Sequence, residues 1–388
     1  MTANPVHPPT DPPAAVSPLG AAAQALLDQG LPDKARRVAL AALDADPTDR
    51  FALGLLGEAC AGPDGGGLRR ATLERLATAD SRARPLLDGA SPGADPVARA
   101  QGATWLLDLG DPAAGLALAG GAGETPTPAL LLAEARCRRA LGDLAGAAAA
   151  YEALLALEPA QAEGRRLLPC LRGEAPSLPA AAAGLAAVPF WRVTAPLPPA
   201  SHARLREAAL ARLPDFKPAK VHPLPDQASE ERPESRQALR LEPPPPETAA
   251  LAQWLTARRD ALLQALLGAR PETPRLELQV TLSGEGAFYK AHRASGARVT
   301  GLRLLTVILY LHRQPRGFQG GGLRLYDGDL AAGHWLRGGY SLIAPDDATL
   351  LAFPAAATHE VLPVVACAAP AAGRLTVNGW FHRAPGAE

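Results

Sequence analysis

Between residues 20 and 165 apolar residues recur at helical spacing, separated by short breaks, and this pattern predicts a succession of helices. From Cys170 to Pro199 alanine, proline and glycine take over, as in a linker. Ser201 to Leu213 reads as a capped helix. Lys217 to Glu247 is proline-rich, charged and aperiodic, which suits a lid or loop, and Thr248 to Leu267 returns to helical spacing, as expected of a helix lying against the outside of a sheet. Beyond Pro274 short apolar runs punctuated by glycine and proline predict strands. They are Arg275 to Leu282, Ala287 to His292, Leu302 to His312, Gly322 to Tyr326, Ser341 to Ala344, Thr349 to Phe353, Glu360 to Val365 and Arg374 to His382. The run Leu302 to Leu311 is apolar on both faces and should be central. Strands in this number suit a double-sheet jelly roll. The predicted fold class is therefore α+β and multidomain. A disordered lead-in (1–18) precedes a helical repeat array (19–168), a linker (169–199) and a jelly-roll domain with flanking helices (200–388, core barrel 274–383).

The helical part repeats itself. Gly30, Ala35, Leu43 and Pro47 recur at identical offsets as Gly142, Ala147, Leu155 and Pro159, and a further copy opens at Leu109-Gly110-Asp111 with Gly115 in the alanine's place. The glycine can end one helix in a left-handed cap, the small residue lets the next helix approach, the leucine fills the space between them and the proline stops the second helix. This pattern resembles the tetratricopeptide family, with Leu141-Gly142-Asp143, Ala147, Tyr151 and Glu158-Pro159 the best-matched copy. The resemblance implies a groove for a peptide or protein partner. The alternative is that the helices only pack on the second domain.

Bulk properties narrow the classes. The 388 residues carry 39 basic and 39 acidic side chains, so no global field draws the chain to nucleic acid or an anionic membrane, and neither is expected as a partner. The four cysteines, Cys60, Cys137, Cys170 and Cys367, lie far apart and form no C-x-x-C pair, which speaks against a zinc knuckle or a disulfide framework and fits a reducing compartment. No leader pattern opens the chain and no apolar run is long enough to cross a bilayer, so a soluble, cytoplasmic protein is expected.

The chemistry concentrates in three segments: Phe288-Tyr289-Lys290-Ala291-His292-Arg293; Leu305 to Leu311 with Gly320-Gly321-Gly322-Leu323-Arg324-Leu325-Tyr326; and His359 through Trp380. In order and spacing they resemble the prolyl 4-hydroxylase-like branch of iron(II)/2-oxoglutarate-dependent oxygenases, over about residues 190 to 383, and so imply its double-stranded β-helix. Carried over by position, His292 and His359 would be metal ligands. Arg374 would grip the distal carboxylate of 2-oxoglutarate through two parallel hydrogen bonds, with Thr376 beside it, and no further catalytic side chain is implied. Strand alternation independently places Arg374, Thr376, Asn378 and Trp380 on one face and Leu375, Val377 and Phe381 on the other. The resemblance implies a dioxygenase that decarboxylates 2-oxoglutarate to succinate while hydroxylating a carbon of a peptide, protein or small molecule. Its cofactors would be Fe(II) and 2-oxoglutarate, with ascorbate as reductant.

The sequence departs from that family at the first ligand motif. Histidine, any residue, aspartate becomes His292-Arg293-Ala294, and Gly322 stands where the G-G-E-L strand has glutamate. Three explanations compete. Ala294 resembles the halogenases of the superfamily, in which chloride fills the vacated position; the barrel has become a noncatalytic binding module; or another acid reaches the metal, Glu285 being nearest in sequence. Blander readings also apply. Arg374 could form a structural ion pair, and Tyr289 and Thr306 are expected to line the barrel. His7, His202, His222, His312, His334 and His382 are expected to be packed or exposed side chains, and Asp346 and Asp347 to sit in a turn. Gly320 to Gly322 lacks the lysine and helix of a phosphate loop and suits a bend or bulge.

Overall fold

The computed structural model describes residues 15–60, 65–87, 95–120, 126–181, 183–221, 230–273, 275–295 and 302–384. Most of the predicted lead-in and part of the predicted lid lie outside them. The chain divides into two compact units. One comprises residues 1–168, 181–187 and 326–341, and the other residues 169–180, 188–325 and 342–388.

The first unit is mainly helical: α1 (Pro18–Asp28), α2 (Pro32–Ala45), α3 (Arg50–Cys60), α4 (Gly65–Ala79), α5 (Arg84–Leu87), α6 (Pro96–Asp108), α7 (Pro112–Ala119), α8 (Pro128–Leu141), α9 (Leu144–Leu157) and most of α10 (Ala162–Arg172). Their limits follow from local chemistry. Proline occupies the first turn of α1, α2, α6, α7 and α8, where its missing N–H costs no hydrogen bond, and Ser17, Asp95, Asp111, Thr127 and Asp143 accept from the free amides of the following turn. Gly142 ends α8 in the left-handed region, with φ 81°. Ala35, Leu43 and Ala147 are buried, as expected of residues between packed helices, and α1 packs on α2, α6 on α7 and α8 on α9. Ionic pairs are also buried here. Arg139 donates to Asp327 at 2.6 Å and to Ser341 at 3.1 Å, Arg50 grips Asp108 in two bonds of 2.8 Å, and Glu163 accepts from Arg136 and from the Tyr151 hydroxyl, each at 2.6 Å.

The strands are β1 (Trp191–Thr194), β2 (Lys217–Pro218), β3 (Arg236–Gln237), β4 (Leu239–Leu241), β5 (Arg275–Ser283), β6 (Phe288–His292), β7 (Arg303–Tyr310), β8 (Phe318–Gly320), β9 (Leu323–Asp329), β10 (His334–Ile343), β11 (Thr349–Pro354), β12 (His359–Val361), β13 (Val364–Cys367) and β14 (Arg374–His382). Two helices join them, α11 (Pro199–Ala211) and α12 (Thr248–Leu267). A seven-stranded sheet runs β1-β11-β7-β14-β5-β4-β2, a five-stranded sheet runs β10-β9-β12-β6-β3, and β13 pairs with β8. The pairings are antiparallel.

The long apolar run forms β7, which is interior to the larger sheet as its two-sided hydrophobicity requires. Leu305, Val307 and Leu309 join Leu375, Val377 and Phe381 of β14 in one core with Leu205 and Ala209 of α11 and Leu251, Leu255, Leu263 and Leu266 of α12. One face of the larger sheet is thereby covered by helices. Three details differ from the sequence reading. β1 forms inside the stretch read as a linker. Glu360 to Val365 is two strands, because Pro363 has no N–H to continue a ladder. β10 begins at His334 and runs through Gly338 and Gly339, well before Ser341.

Candidate active site

The uncovered face of the larger sheet and the inner face of the smaller one line a cavity of about 390 Å³ in the second unit. The period of two in β14 decides what it contains. Arg374, Thr376, Asn378 and Trp380 point into the cavity while their neighbours fill the helix-backed core. Thr306 and Ile308 of β7 and Glu277, Gln279 and Thr281 of β5 stand beside them.

The smaller sheet supplies two imidazoles. His292 of β6 and His359 of β12 are Cα partners across the ladder, and their ring centres lie 4.2 Å apart at an interplanar angle of 54°. In each ring Nδ1 lies against a backbone carbonyl, Lys290 O at 2.8 Å for His292 and Ala357 O at 2.9 Å for His359. A carbonyl only accepts, so Nδ1 carries the proton and Nε2 keeps its lone pair, the arrangement a metal-binding histidine needs. Burial pushes the His359 pKa down to about 4 and the His292 pKa well below its usual value, with His359 adding to the effect on His292. Both rings are therefore neutral near pH 7. Tyr289 stacks on His292 with ring centres 3.4 Å apart, and Phe353 meets His359 edge-on.

Opposite them Arg374 is 4 % exposed, and among the described residues its only hydrogen bond is a long one, to the Tyr310 hydroxyl at 3.5 Å. Its Nε and the hydroxyls of Thr376 and Thr306 are buried without hydrogen-bond partners among the described residues. A buried guanidinium with no carboxylate beside it is costly unless an anion completes it. This disposes of the structural ion pair as a reading of Arg374 among the described residues.

Ala294, at the position of the missing acid, is buried on the cavity wall and its amide donates to Ala355 O at 3.0 Å. Glu285 does not take the acid's place. It sits exposed in the turn between β5 and β6, where water solvates its charge at no cost, and it is not part of the cavity wall. Among the described residues no group of three or more histidine, cysteine, aspartate or glutamate side chains could hold a metal. The one carboxylate of the wall among the described residues, Glu277, is committed to Arg303 at 2.9 and 3.0 Å and to His382 Nε2 at 2.9 Å.

Two residues that bear on the site, Tyr310 beside Arg374 and Arg236 on the wall, escaped the sequence reading. Tyr310, at the end of the β7 run, could have been flagged as a polar hydroxyl closing an apolar strand. Arg236 on β3 had no signal, because a two-residue strand in an aperiodic stretch shows no period. Of the remaining histidines, His202 pairs with Asp347 at 3.0 Å and His312 packs edge-on against Phe318.

Comparison with known proteins finds a family match over the same strands. Residues 278–382 match the family model of the 2OG-Fe(II) oxygenase superfamily. Over 140 residues the chain is 32% identical to an uncharacterized PKHD-type hydroxylase of Synechocystis sp. (strain ATCC 27184 / PCC 6803 / Kazusa), covering 34% of this chain and 46% of that protein. The chain thus spans about half the length of that curated relative. Among solved structures, a Pseudomonas putida prolyl-4-hydroxylase is 23% identical with a TM-score of 0.38, covering 50% of this chain and 92% of that one. A Trichoplax adhaerens prolyl hydroxylase in complex with a hypoxia inducible factor peptide fragment is 17% identical with a TM-score of 0.39, covering 50% and 83%.

Proposed function

We propose that this chain is an iron(II)/2-oxoglutarate-dependent dioxygenase that hydroxylates a carbon of a peptide, protein or small molecule. The observation that carries the reading is the pairing, within one cavity, of two imidazoles whose Nδ1 atoms face backbone carbonyls and a buried guanidinium with no carboxylate beside it among the described residues. These residues suit the cofactors. His292 and His359 would hold the metal, and Arg374 with Thr376 would hold the far carboxylate of the keto acid. When bound, iron and 2-oxoglutarate supply the oxidising chemistry, with succinate and carbon dioxide as coproducts and ascorbate as the reductant that keeps iron ferrous. The protein's own work is placement. Backbone carbonyls fix both imidazole tautomers, Tyr289 and Phe353 fix the ring planes, and the cavity restricts water.

The buried Ala294, with no acid among its described neighbours, favours a second reading, in which chloride occupies the vacated position and the substrate carbon is halogenated. A third outcome is a barrel that binds without turnover. For the helical unit we propose a tetratricopeptide-like role in taking a peptide or protein partner, and for the chain a cytoplasmic setting. One anaerobic titration of the full chain with Fe(II) and 2-oxoglutarate tests the first reading. A weak visible charge-transfer band followed, on admitting oxygen, by succinate release supports it. A band with chloride-dependent product supports halogenation, and absence of both band and succinate supports the binding module.

A further inference from the structure

Among the described residues the cavity's charges do not balance. Six cationic side chains, Lys220, Arg236, Arg240, Arg293, Arg303 and Arg374, line it there against the single carboxylate of Glu277. Arg303 is answered by Glu277, Arg240 pairs with Glu242 at 2.8 Å outside the wall, and Arg374 is assigned above to the keto acid. Arg236 remains. No carboxylate pairs with it among the described residues, its Nε is buried without a partner, and its one hydrogen bond runs from Nη1 to the Lys220 carbonyl at 3.2 Å. Burial, with Arg240 and Arg303 nearby, lowers its pKa, the signature of a cation short of a counter-ion.

Arg236 is also held in place. It is the Cα partner of Tyr289 across β3 and β6, the Lys290 amide donates to Ser235 O at 2.9 Å, and the Arg236 guanidinium carbon lies 4.8 Å from the centre of the Tyr289 ring. Tyr289 in turn stacks on His292. A guanidinium therefore stands one aromatic ring away from the imidazole pair, on a strand that pairs with β6. The loss of acid at Ala294 removes the negative charge that would otherwise offset it.

We propose that this cavity recognises its substrate through a carboxylate or phosphate group, and that Arg236 is the residue that selects for it. The cavity volume falls in the range of small-molecule sites, so the anion belongs to a small molecule or to one residue of a peptide. The word substrate rests on the oxygenase reading, whereas the anion site does not.

Calorimetric titration of the full chain tests this with matched pairs, N-acetylaspartate against N-acetylasparagine and N-acetylphosphoserine against N-acetylserine. One arm uses anaerobic Fe(II) with just enough 2-oxoglutarate to saturate the charge-transfer band, and the other uses metal-free protein. At least one anion should bind about tenfold or more tightly than its neutral partner, as charge-assisted hydrogen bonds to a fixed guanidinium allow. The better anion identifies carboxylate or phosphate chemistry. Arg236→Gln should bring the pair to within about twofold, and Arg236→Lys should keep part of the preference. If Arg236→Gln does not fold, salt decides on the wild type, since the anion's advantage should shrink between about 0.05 and about 0.5 M. A charge-transfer band without any anion preference overturns the anion site and leaves the oxygenase standing. No band, but an Arg236-dependent preference in metal-free protein, does the reverse. A preference that survives Arg236→Gln, or that ignores salt, also overturns the assignment.

Discussion

The Arg374 side chain crosses the backbone of Gly321 where there is no room for a methyl group: a Cβ on Gly321 would lie 2.9 Å from Arg374 Cδ and 3.3 Å from Val364 Cγ2. Gly321 also has φ 67°, in the left-handed region. The glycine run, read from the sequence as a bend or bulge, thus shapes the floor under Arg374. Gly321→Ala should tilt Arg374 and raise the dissociation constant for 2-oxoglutarate by about tenfold, while the left-handed backbone adds roughly 1 kcal/mol of destabilisation. Titration of the charge-transfer band and thermal melting read the two effects separately. An unchanged 2-oxoglutarate affinity would show that Arg374 does not hold it.

How much of this site was legible in the chain depends on how each residue is positioned. β14 was readable because a strand's period of two, with a helix-backed apolar face, leaves one side for Arg374, Thr376, Asn378 and Trp380. His292 and His359 stood out through their motifs. Their pairing as direct neighbours required register, which spacing alone does not give. Arg236 was hidden, since β3 is two residues long and gains its place only by pairing with β6. β10 was shortened in the reading because Gly338 and Gly339 look like a break, and β12 was fused with β13 across a proline that interrupts the ladder.

Restoring the acid tests whether the rest of the site still expects one. Ala294 is buried on the cavity wall and its backbone is anchored to Ala355, so an added carboxylate would start from a fixed Cα. Ala294→Asp should strengthen iron retention by about 10- to 100-fold, the scale on which ligand-shell changes act. Iron content after exposure to a graded series of chelator concentrations measures this. Hydroxylation should rise with it, and chloride-dependent product, where present, should fall. Stronger iron binding with no succinate release would favour the binding module.

Acid should destabilise the protein through histidines that are buried neutral, and His312 offers a case away from the imidazole pair. It is 2 % exposed, its Nδ1 has no hydrogen-bond partner among the described residues, and burial pulls its pKa from 6.5 down to about 4. Between those values the unfolded chain holds a proton that the folded chain does not, so stability rises with pH across this window and is lost on acidification. The difference of about 2.5 pH units corresponds to at most roughly 3 kcal/mol. Melting temperatures of metal-free protein should fall from pH 6.5 to pH 4, and His312→Phe should flatten that fall. An identical slope in the variant would mean that His312 is solvated in the folded state.

In the first unit the most demanding interaction is the pair between Arg139, 1 % exposed, and Asp327, 4 % exposed, whose Nη2 to Oδ2 distance is 2.6 Å. Desolvating both charges offsets most of their attraction, so the pair adds little net stability while it is intact. Breaking it is another matter. Asp327→Asn leaves the Arg139 charge buried with, among the described residues, Ser341 and the distant Glu163 at 3.5 Å to answer it, and should cost about 3–5 kcal/mol. The double replacement Arg139→Met with Asp327→Leu removes both charges and should recover most of that loss, because an apolar pair of similar volume needs no partner. Denaturant melts of the wild type, the single variant and the double variant measure it. A double variant as unstable as Asp327→Asn would mean that Arg139 supports the unit through Ser341 and Glu163 rather than through its aspartate.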